Sequence, residues 1–187
     1  MTLIIGITGQ ARAGKDTAAS YLRHEYGFHN LAFASPIKTM AAALANEPVA
    51  NFVQDELKEG PVLWLGMTRR RIMQLVGTES THPIFGRDIW IRHLMNRVDQ
   101  HYVGQRVTVS DVRHDLEARA ILNKGGYILR LHRGVAGLRG EAAAHSSEAG
   151  VDPDLVDFDV INDGTLGELH HELKKIADFV LFHGART

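Results

Sequence analysis

The chain contains no cysteine. Disulfides, zinc–thiolate sites, iron–sulfur clusters and thiol nucleophiles are therefore excluded from its chemistry. Charge of one sign is also missing: 21 Lys and Arg stand against 22 Asp and Glu, a formal net charge of −1. That balance argues against a strongly basic nucleic-acid binder and against an acidic solvating tail, although a local basic cleft remains compatible with it. No apolar run approaches the roughly 18 residues of a membrane span. The opening Leu3-Ile4-Ile5-Gly6-Ile7 lacks the basic flank and long apolar core of a secretion signal. Repeats, low-complexity tracts and a Pro/Gly/Ser-rich linker are absent too. What remains is an ordinary globular composition, 44% hydrophobic and 23% charged over 187 residues, enough for one domain with its own core. The expectation is a cytoplasmic protein without membrane or nucleic-acid partners.

Short β-rich runs alternate with longer helical periods, the pattern of a parallel α/β sheet. Strands are expected at Leu3 to Thr8, His29 to Ala34, Arg106 to Ser110, Tyr127 to Leu131 and Asp157 to Ile161. Helices are expected at Lys15 to Tyr26, from Ser35-Pro36 with Ser35 as N-cap, from Thr68 to Val76, and from Asp88 to Gln100. Another carries Leu116, Ile121 and Leu122 and stops at Gly125-Gly126. The last starts at the capping box Thr165-Leu166-Gly167-Glu168, with Leu166, Leu169, Leu173, Ile176 and Val180 on one face. Asn46 to Gly66 gives no clear pattern. Residues 133–149, rich in Gly, Ala and Arg, read as a mobile lid. Five strands interleaved with helices describe a doubly wound α/β domain.

The chemical signal is strongest in Gly9-Gln10-Ala11-Arg12-Ala13-Gly14-Lys15-Asp16-Thr17. It fits the G-x-x-x-x-G-K part of a phosphate-binding loop and lies between a buried strand and a helix. Glycines let successive backbone N–H groups turn toward an anion, and the helix start adds its positive dipole end. Lys15 would reach the β- and γ-phosphates of a triphosphate. Asp16 stands where a hydroxyl usually meets Mg²⁺, so that role passes to its carboxylate, to a water it holds, or to Thr17. If the acceptor is itself a phosphate, its oxygen is already largely anionic, because a second phosphate pKa lies near about 6. Such a transfer asks little of a general base and much of cations. Candidates are Arg69-Arg70-Arg71, Arg87, Arg113, and, toward the lid, Arg130, Arg133 and Arg139, each of which reads equally as a solvated surface charge. Asp111, ending the strand Val107 to Ser110, could orient Mg²⁺ through water, or it or Asp115 could cap the next helix. None of the 11 histidines forms an H-E-x-x-H pattern, and His145 has a supporting role at most. Trp64 and Trp90 could stack a base or fill a core.

In order and spacing, these pieces resemble the bacteriophage deoxynucleoside monophosphate kinases, of the P-loop nucleoside monophosphate kinase superfamily. The resemblance runs nearly end to end. It is carried by the loop with its Lys-Asp-Thr ending, Phe33-Ala34-Ser35-Pro36-Ile37-Lys38, and Arg71-Ile72-Met73-Gln74 followed by Gly77-Thr78-Glu79. Ile89-Trp90, Ser110-Asp111-Val112-Arg113 with Glu117 and Gly125-Gly126, His145-Ser146-Ser147-Glu148, and Ile161-Asn162-Asp163-Gly164-Thr165 complete it. It implies a P-loop fold with a monophosphate-binding insertion at about 35–100, ATP as donor with Mg²⁺, and a deoxynucleoside monophosphate as acceptor. ATP would meet Gly9, Arg12, Ala13, Gly14, Lys15, Asp16 and Thr17, with Asn162, Asp163 and Gly164 beside the adenine. The acceptor would meet Lys38, Arg71, Gln74, Arg87, Trp90 and Glu148, and Lys15, Asp111, Arg113 and Arg133 would act on the transferring phosphoryl group. A homodimer is compatible with the resemblance. The chain departs from the family after Gly-Thr-Glu, where an arginine often follows; here Ser80 to Phe85 intervenes before Gly86-Arg87. Competing readings are a related kinase resembling dephospho-coenzyme A or phosphomevalonate kinases, and a P-loop module that binds or hydrolyses ATP without transferring it.

Overall fold

The first strand, β1 (Leu3–Gly9), is buried along almost its whole length, as an unbroken Leu-Ile-Ile-Gly-Ile-Thr run requires of a central parallel strand. The computed structural model describes residues 1–134 and 150–186; the expected lid, apart from Arg133 and Gly134, lies outside them. After β1 come α1 (Lys15–Tyr26) and β2 (His29–Leu31). Then follow α2 (Ser35–Ala45), the short turns α3 (Ala50–Val53) and α4 (Asp55–Lys58), and the hairpin of β3 (Pro61–Val62) and β4 (Met67–Thr68). Next are α5 (Arg69–Gln74), a π-helical segment (Leu75–Glu79), α6 (His82–Phe85) and α7 (Ile89–His101). The chain continues with β5 (Arg106–Val109), α8 (Asp115–Leu122), β6 (Tyr127–His132), β7 (Phe158–Ile161) and α9 (Leu166–His183).

Two compact units divide the described residues: 1–32 with 95–187, and 33–94. In the first, five strands form one parallel sheet in the order β2-β5-β1-β6-β7. The chain runs to one side of β1 for β2 and β5, then crosses to the other for β6 and β7. The C-terminal end of β1 is thus the switch point at which α/β sheets open a crevice. Alternation along β1 sends Ile5 and Ile7 into a core with Leu129 and Leu131, closed by Ala18, Ala19 and Leu22 of α1 and Leu169, Leu173, Ala177 and Val180 of α9. The opposite face belongs to α8: a Cβ on Gly6 would fall 2.7 Å from Ile121 and 2.8 Å from Ile128. Helices therefore flank the sheet on both faces. The C-terminal segment is stitched to the same unit, with Arg186 pairing Asp157 at 2.6 Å and lying 4.2 Å from the centre of the Tyr127 ring.

In the second unit, Ala41, Ala42, Ala45, Phe52, Val62 and Ile72 form a separate core. Its hairpin and short helical turns occupy the stretch from Asn46 to Gly66 in which no pattern was legible. No helix among the described residues is long and apolar enough to cross a membrane.

Several local expectations need correction. The second strand ends at Leu31 instead of Ala34, because its pairing with β5 stops at Leu31 opposite Val109, where β5 itself ends. Ala34, in a helical conformation, is the N-cap of α2, so Ser35 already lies inside the helix and caps nothing with its side chain. The helix from Thr68 leaves α geometry after Gln74, where Ser80 N–H donates to the Leu75 carbonyl five residues back (2.8 Å). Leu166, the first residue of α9, is exposed; the buried stripe begins one turn later at Leu169. The Thr165–Glu168 capping box itself forms in both directions.

Gly9 carries the sharpest backbone demand. Its φ is +137°, and a Cβ there would lie 2.3 Å from the Leu131 carbonyl oxygen of β6. Gly9→Ala is expected to cost about 2 kcal/mol or more in urea unfolding, from backbone strain plus displacement of β6. Gly104→Ala, with φ +72° but open space around it, should cost about 1 kcal/mol. Equal losses at the two positions would contradict this account of the β1 turn.

Candidate active site

Four connections of the first unit leave the C-terminal edge of its sheet: those after β1, β5, β6 and β7. The first is the phosphate-binding loop. Gly14, at φ +99°, is the N-cap of α1 and has no side chain to occupy the first-turn amides. A Cβ there would fall 2.5 Å from Asn162 Nδ2. Arg12 is exposed and itself adopts φ +65°, an αL position that reverses the direction of the neighbouring amides. Lys15 Nζ donates to the carbonyls of Gly9 (2.8 Å) and Gln10 (2.7 Å), which holds the ammonium across the loop. Asp16 and Thr17 lie exposed in the first turn of α1.

Asn162 serves this loop from behind. Its buried Nδ2 donates to the Ala13 carbonyl at 2.9 Å, and its own N–H reaches the His132 carbonyl at 2.7 Å. It ties β6, β7 and the loop together instead of facing solvent as a base-contacting side chain would. Asp163 accepts from Gly134 N–H, joining the connections after β6 and β7. Asp163, Gly164, Thr165, Glu168 and His171 line a groove of about 590 Å³ at the start of α9.

After β5, Asp111 is half-buried and Arg113 exposed. Neither Asp111 nor Asp115 caps α8; His114 is its N-cap, and Glu117 reaches back to accept from the N–H groups of Arg113 (2.7 Å) and His114 (3.1 Å). Asp115 instead accepts from Asp152 N–H at 2.9 Å. Burial pushes the Glu117 carboxyl up in pKa, against the pull of those two amides. Arg130 was read with the lid, but it belongs to β6, where it forms a two-bond pair with Asp159 of β7 (2.7 and 2.9 Å). His132 also reaches Asp159, at 2.8 Å. The register that sets Arg130 beside Asp159 depends on strand order, which no local pattern encodes. Arg133, next along, is exposed.

The acceptor candidates lie in the second unit, except Glu148, which falls outside the described residues together with Arg139 and His145. The three consecutive arginines do not act alike. Arg69 is mostly buried and anchors Glu47 (2.9 Å) and the Leu57 carbonyl (3.1 Å), so it is a structural residue and not a solvated neighbour of Arg71. Arg70 pairs with Glu59. Arg71 presents both terminal nitrogens to Glu79, one of them at 3.0 Å. Gln74 is exposed one turn further on, Lys38 half-buried, and Arg87 exposed. Trp90 neither stacks freely nor fills the core: half-buried, it donates Nε1–H to the Gly77 carbonyl at 2.7 Å. Trp64 is 67% exposed and donates to the Ala45 carbonyl.

A sequence profile described as deoxynucleotide monophosphate kinase matches residues 65–173, more than half of the chain. The chain belongs to the deoxynucleotide monophosphate kinase family. It is also 30% identical, over 94% of its length and 96% of the relative's, to a protein of Acanthamoeba polyphaga mimivirus provisionally described as a deoxynucleotide monophosphate kinase. Among solved structures it is similar to a dephospho-CoA kinase from Campylobacter jejuni: TM-score 0.53, 13% identity, 96% of this chain and 97% of that one. A Thermus thermophilus protein matches equally well, with TM-score 0.53, 18% identity, and 96% and 98% coverage. At these identities the structural likeness carries the P-loop kinase fold alone. Family membership makes the chain a phosphotransferase and sets aside the reading of an ATP-binding module without transfer. Matched residues 65–173 span Arg71, Gln74 and Glu79 as well as Asp111, Arg113 and Asn162.

The Arg130 guanidinium, with His132, holds the Asp159 carboxyl below the ordinary aspartate range. A carboxyl with a depressed folded-state pKa contributes stability that is present above its unfolded value, near about 3.9, and is lost as pH falls through the folded value. The stability difference between the wild type and Asp159→Asn should therefore be largest above about pH 5 and close on acidification. Because Asp159 is half exposed, the difference should also shrink in salt. A pH-independent difference in urea unfolding would contradict the pairing.

Proposed function

We propose that this nucleotide kinase transfers the γ-phosphoryl group of ATP to the phosphate of a deoxynucleoside monophosphate, giving ADP and a deoxynucleoside diphosphate. The observation that carries the donor half is the loop between β1 and α1, with Gly9 and Gly14 at positive φ and Lys15 across it. Its amides and the α1 dipole would cradle the β- and γ-phosphates, and Lys15 would exchange carbonyl partners for phosphate oxygens. The acceptor half rests on family membership and on the pairing of Arg71, whose planar fork suits a phosphate as well as a carboxylate.

In the transfer, an acceptor phosphate oxygen forms the new P–O bond while the bond from the γ-phosphorus to the β–γ bridging oxygen breaks, and ADP leaves with that electron pair. The acceptor oxygen is already anionic near neutrality, so no side chain has to remove a proton. Lys15, Arg113 and Arg133 would instead offset the charge gathering on the equatorial oxygens. Asp16, Thr17 and Asp111 offer the hard oxygen donors that Mg²⁺ prefers, and no group of three His, Asp or Glu side chains among the described residues would suit a metal ion held by protein alone. Mg²⁺ bound with ATP supplies charge neutralisation between the phosphates.

Coupled ADP release, measured with ATP and each deoxynucleoside monophosphate, each ribonucleoside monophosphate, dephospho-coenzyme A, or no acceptor, tests this reading. Turnover is expected with one or more deoxynucleoside monophosphates and only background without acceptor. Turnover with dephospho-coenzyme A and none with a deoxynucleotide would replace it. Lys15→Ala should reduce kcat at least about 100-fold with little change in unfolding midpoint, because it removes from a loop a positive charge that would meet phosphate, and no core contact. Arg71→Ala should raise KM for the deoxynucleoside monophosphate about tenfold or more with KM for ATP little changed; a rise confined to ATP would move Arg71 out of the acceptor site.

A further inference from the structure

Arg71 and Glu79 are eight residues apart, yet their side chains meet in a two-bond pair. In an uninterrupted α-helix such residues are separated by about 12 Å along the axis, beyond ordinary ion-pair spacing. The π-helical segment Leu75–Glu79 shortens that rise somewhat and, by holding more residues per turn, brings Glu79 round toward the face on which Arg71 lies, where two long side chains can meet. Two contacts hold the widened turn. Trp90 Nε1–H caps the Gly77 carbonyl at 2.7 Å, and Ile37 packs so closely on Gly77 that a Cβ there would lie 3.1 Å from it. A half-buried tryptophan bond and a side-chain-free position thus maintain a pair that is itself half exposed, 47% at Arg71 and 50% at Glu79. An exposed ion pair contributes little to stability, so a supporting structure of this kind points to a role in binding.

A carboxylate bound to both ends of a guanidinium fork presents two oxygens much as a phosphate does. We propose that Glu79 is a placeholder for the acceptor's phosphate: it keeps the Arg71 fork in its binding geometry and is displaced when the phosphate arrives. The inference rests on the reading of Arg71 as an acceptor residue. A monophosphate near its second ionisation carries more charge than a carboxylate, so it wins the fork, but it must first break the existing pair and then tolerate the nearby Glu79 charge. Both costs weaken binding. Glu79 therefore sets how much free anion is needed to occupy Arg71, and inorganic phosphate, which brings no base or sugar contacts to offset the same cost, occupies it poorly.

The test is steady-state kinetics of the full chain as wild type, Glu79→Gln and Arg71→Ala, with inorganic phosphate as a competitor against the deoxynucleoside monophosphate. Glu79→Gln removes the charge and keeps the side chain's shape. It should lower KM for the deoxynucleoside monophosphate about two- to fivefold, leave KM for ATP unchanged, and lower the inhibition constant of inorganic phosphate by a similar factor. A purely structural Glu79 would instead raise KM for the acceptor when replaced, and that result overturns the proposal. A fall in KM for the nucleotide without stronger inhibition by phosphate also overturns it, because Glu79 would then meet the base or sugar. If Arg71→Ala leaves KM for the acceptor unchanged, the acceptor reading fails and the placeholder falls with it. If Arg71→Ala raises that KM while Glu79→Gln does not lower it, only the placeholder fails.

Discussion

The close passage of Gly9 beneath the Leu131 carbonyl is the constraint on which the donor site depends. β1 must run to the edge of the sheet between its parallel neighbours, then turn at once, without a Cβ, to become an anion-facing loop. A side chain at that point would push β6 outward, and with it the His132 carbonyl that accepts from Asn162. Asn162 in turn holds the Ala13 carbonyl, so the loop, two strand ends and the start of α1 form one connected hydrogen-bonded unit. Catalysis by charge placement needs such rigidity, because dipoles that must reorganise during the reaction lose most of their value.

The second unit uses its charges differently. Arg69, Arg70 and Arg71 are consecutive, and crowding positive charge at a helix start opposes the helix dipole. The structure relieves this by giving each arginine its own carboxylate: Glu47, Glu59 and Glu79. Only the Arg69–Glu47 pair is substantially buried, and it also engages the Leu57 carbonyl. Three identical residues thus divide within one turn into one anchor and two solvent-facing pairs, and of the latter Arg71 engages its carboxylate through both terminal nitrogens of its fork.

Signals confined to one segment were legible in the sequence. The buried β1 run, the glycine loop, α1, α7 and the Thr165 capping box depend on periodicity or on residues within a few positions, and the structure has each of them. Pairings across strands were not legible. Nothing in the stretch around Arg130 indicates that Asp159 will lie in register beside it, which is why Arg130 reads as a lid charge until the strand order is known. Asn162 was found as part of a motif, but its bond to Ala13 spans 149 positions. The Ser35-Pro36 pair misled for a local reason: proline fits the first turn of a helix equally well when the cap is one residue earlier, as with Ala34 here. The extra residue of the π turn left no periodic trace, because the apolar positions Ile72, Met73 and Val76 fit α spacing up to the point where the geometry changes.

That extra residue has a consequence for how this segment tolerates change in length. A π turn amounts to one residue more than an α-helix accommodates over the same rise. Shortening the Leu75–Glu79 segment by a single position would let it relax into regular helix, and at about 100° per residue the carboxylate, then about two turns from Arg71, would stay near the same face. What such a deletion would lose is the widened turn itself, with the Gly77 carbonyl that accepts from Trp90 and the close packing of Ile37 on Gly77. The residue count of this short stretch is therefore fixed by a tryptophan bond and a packing contact at Gly77.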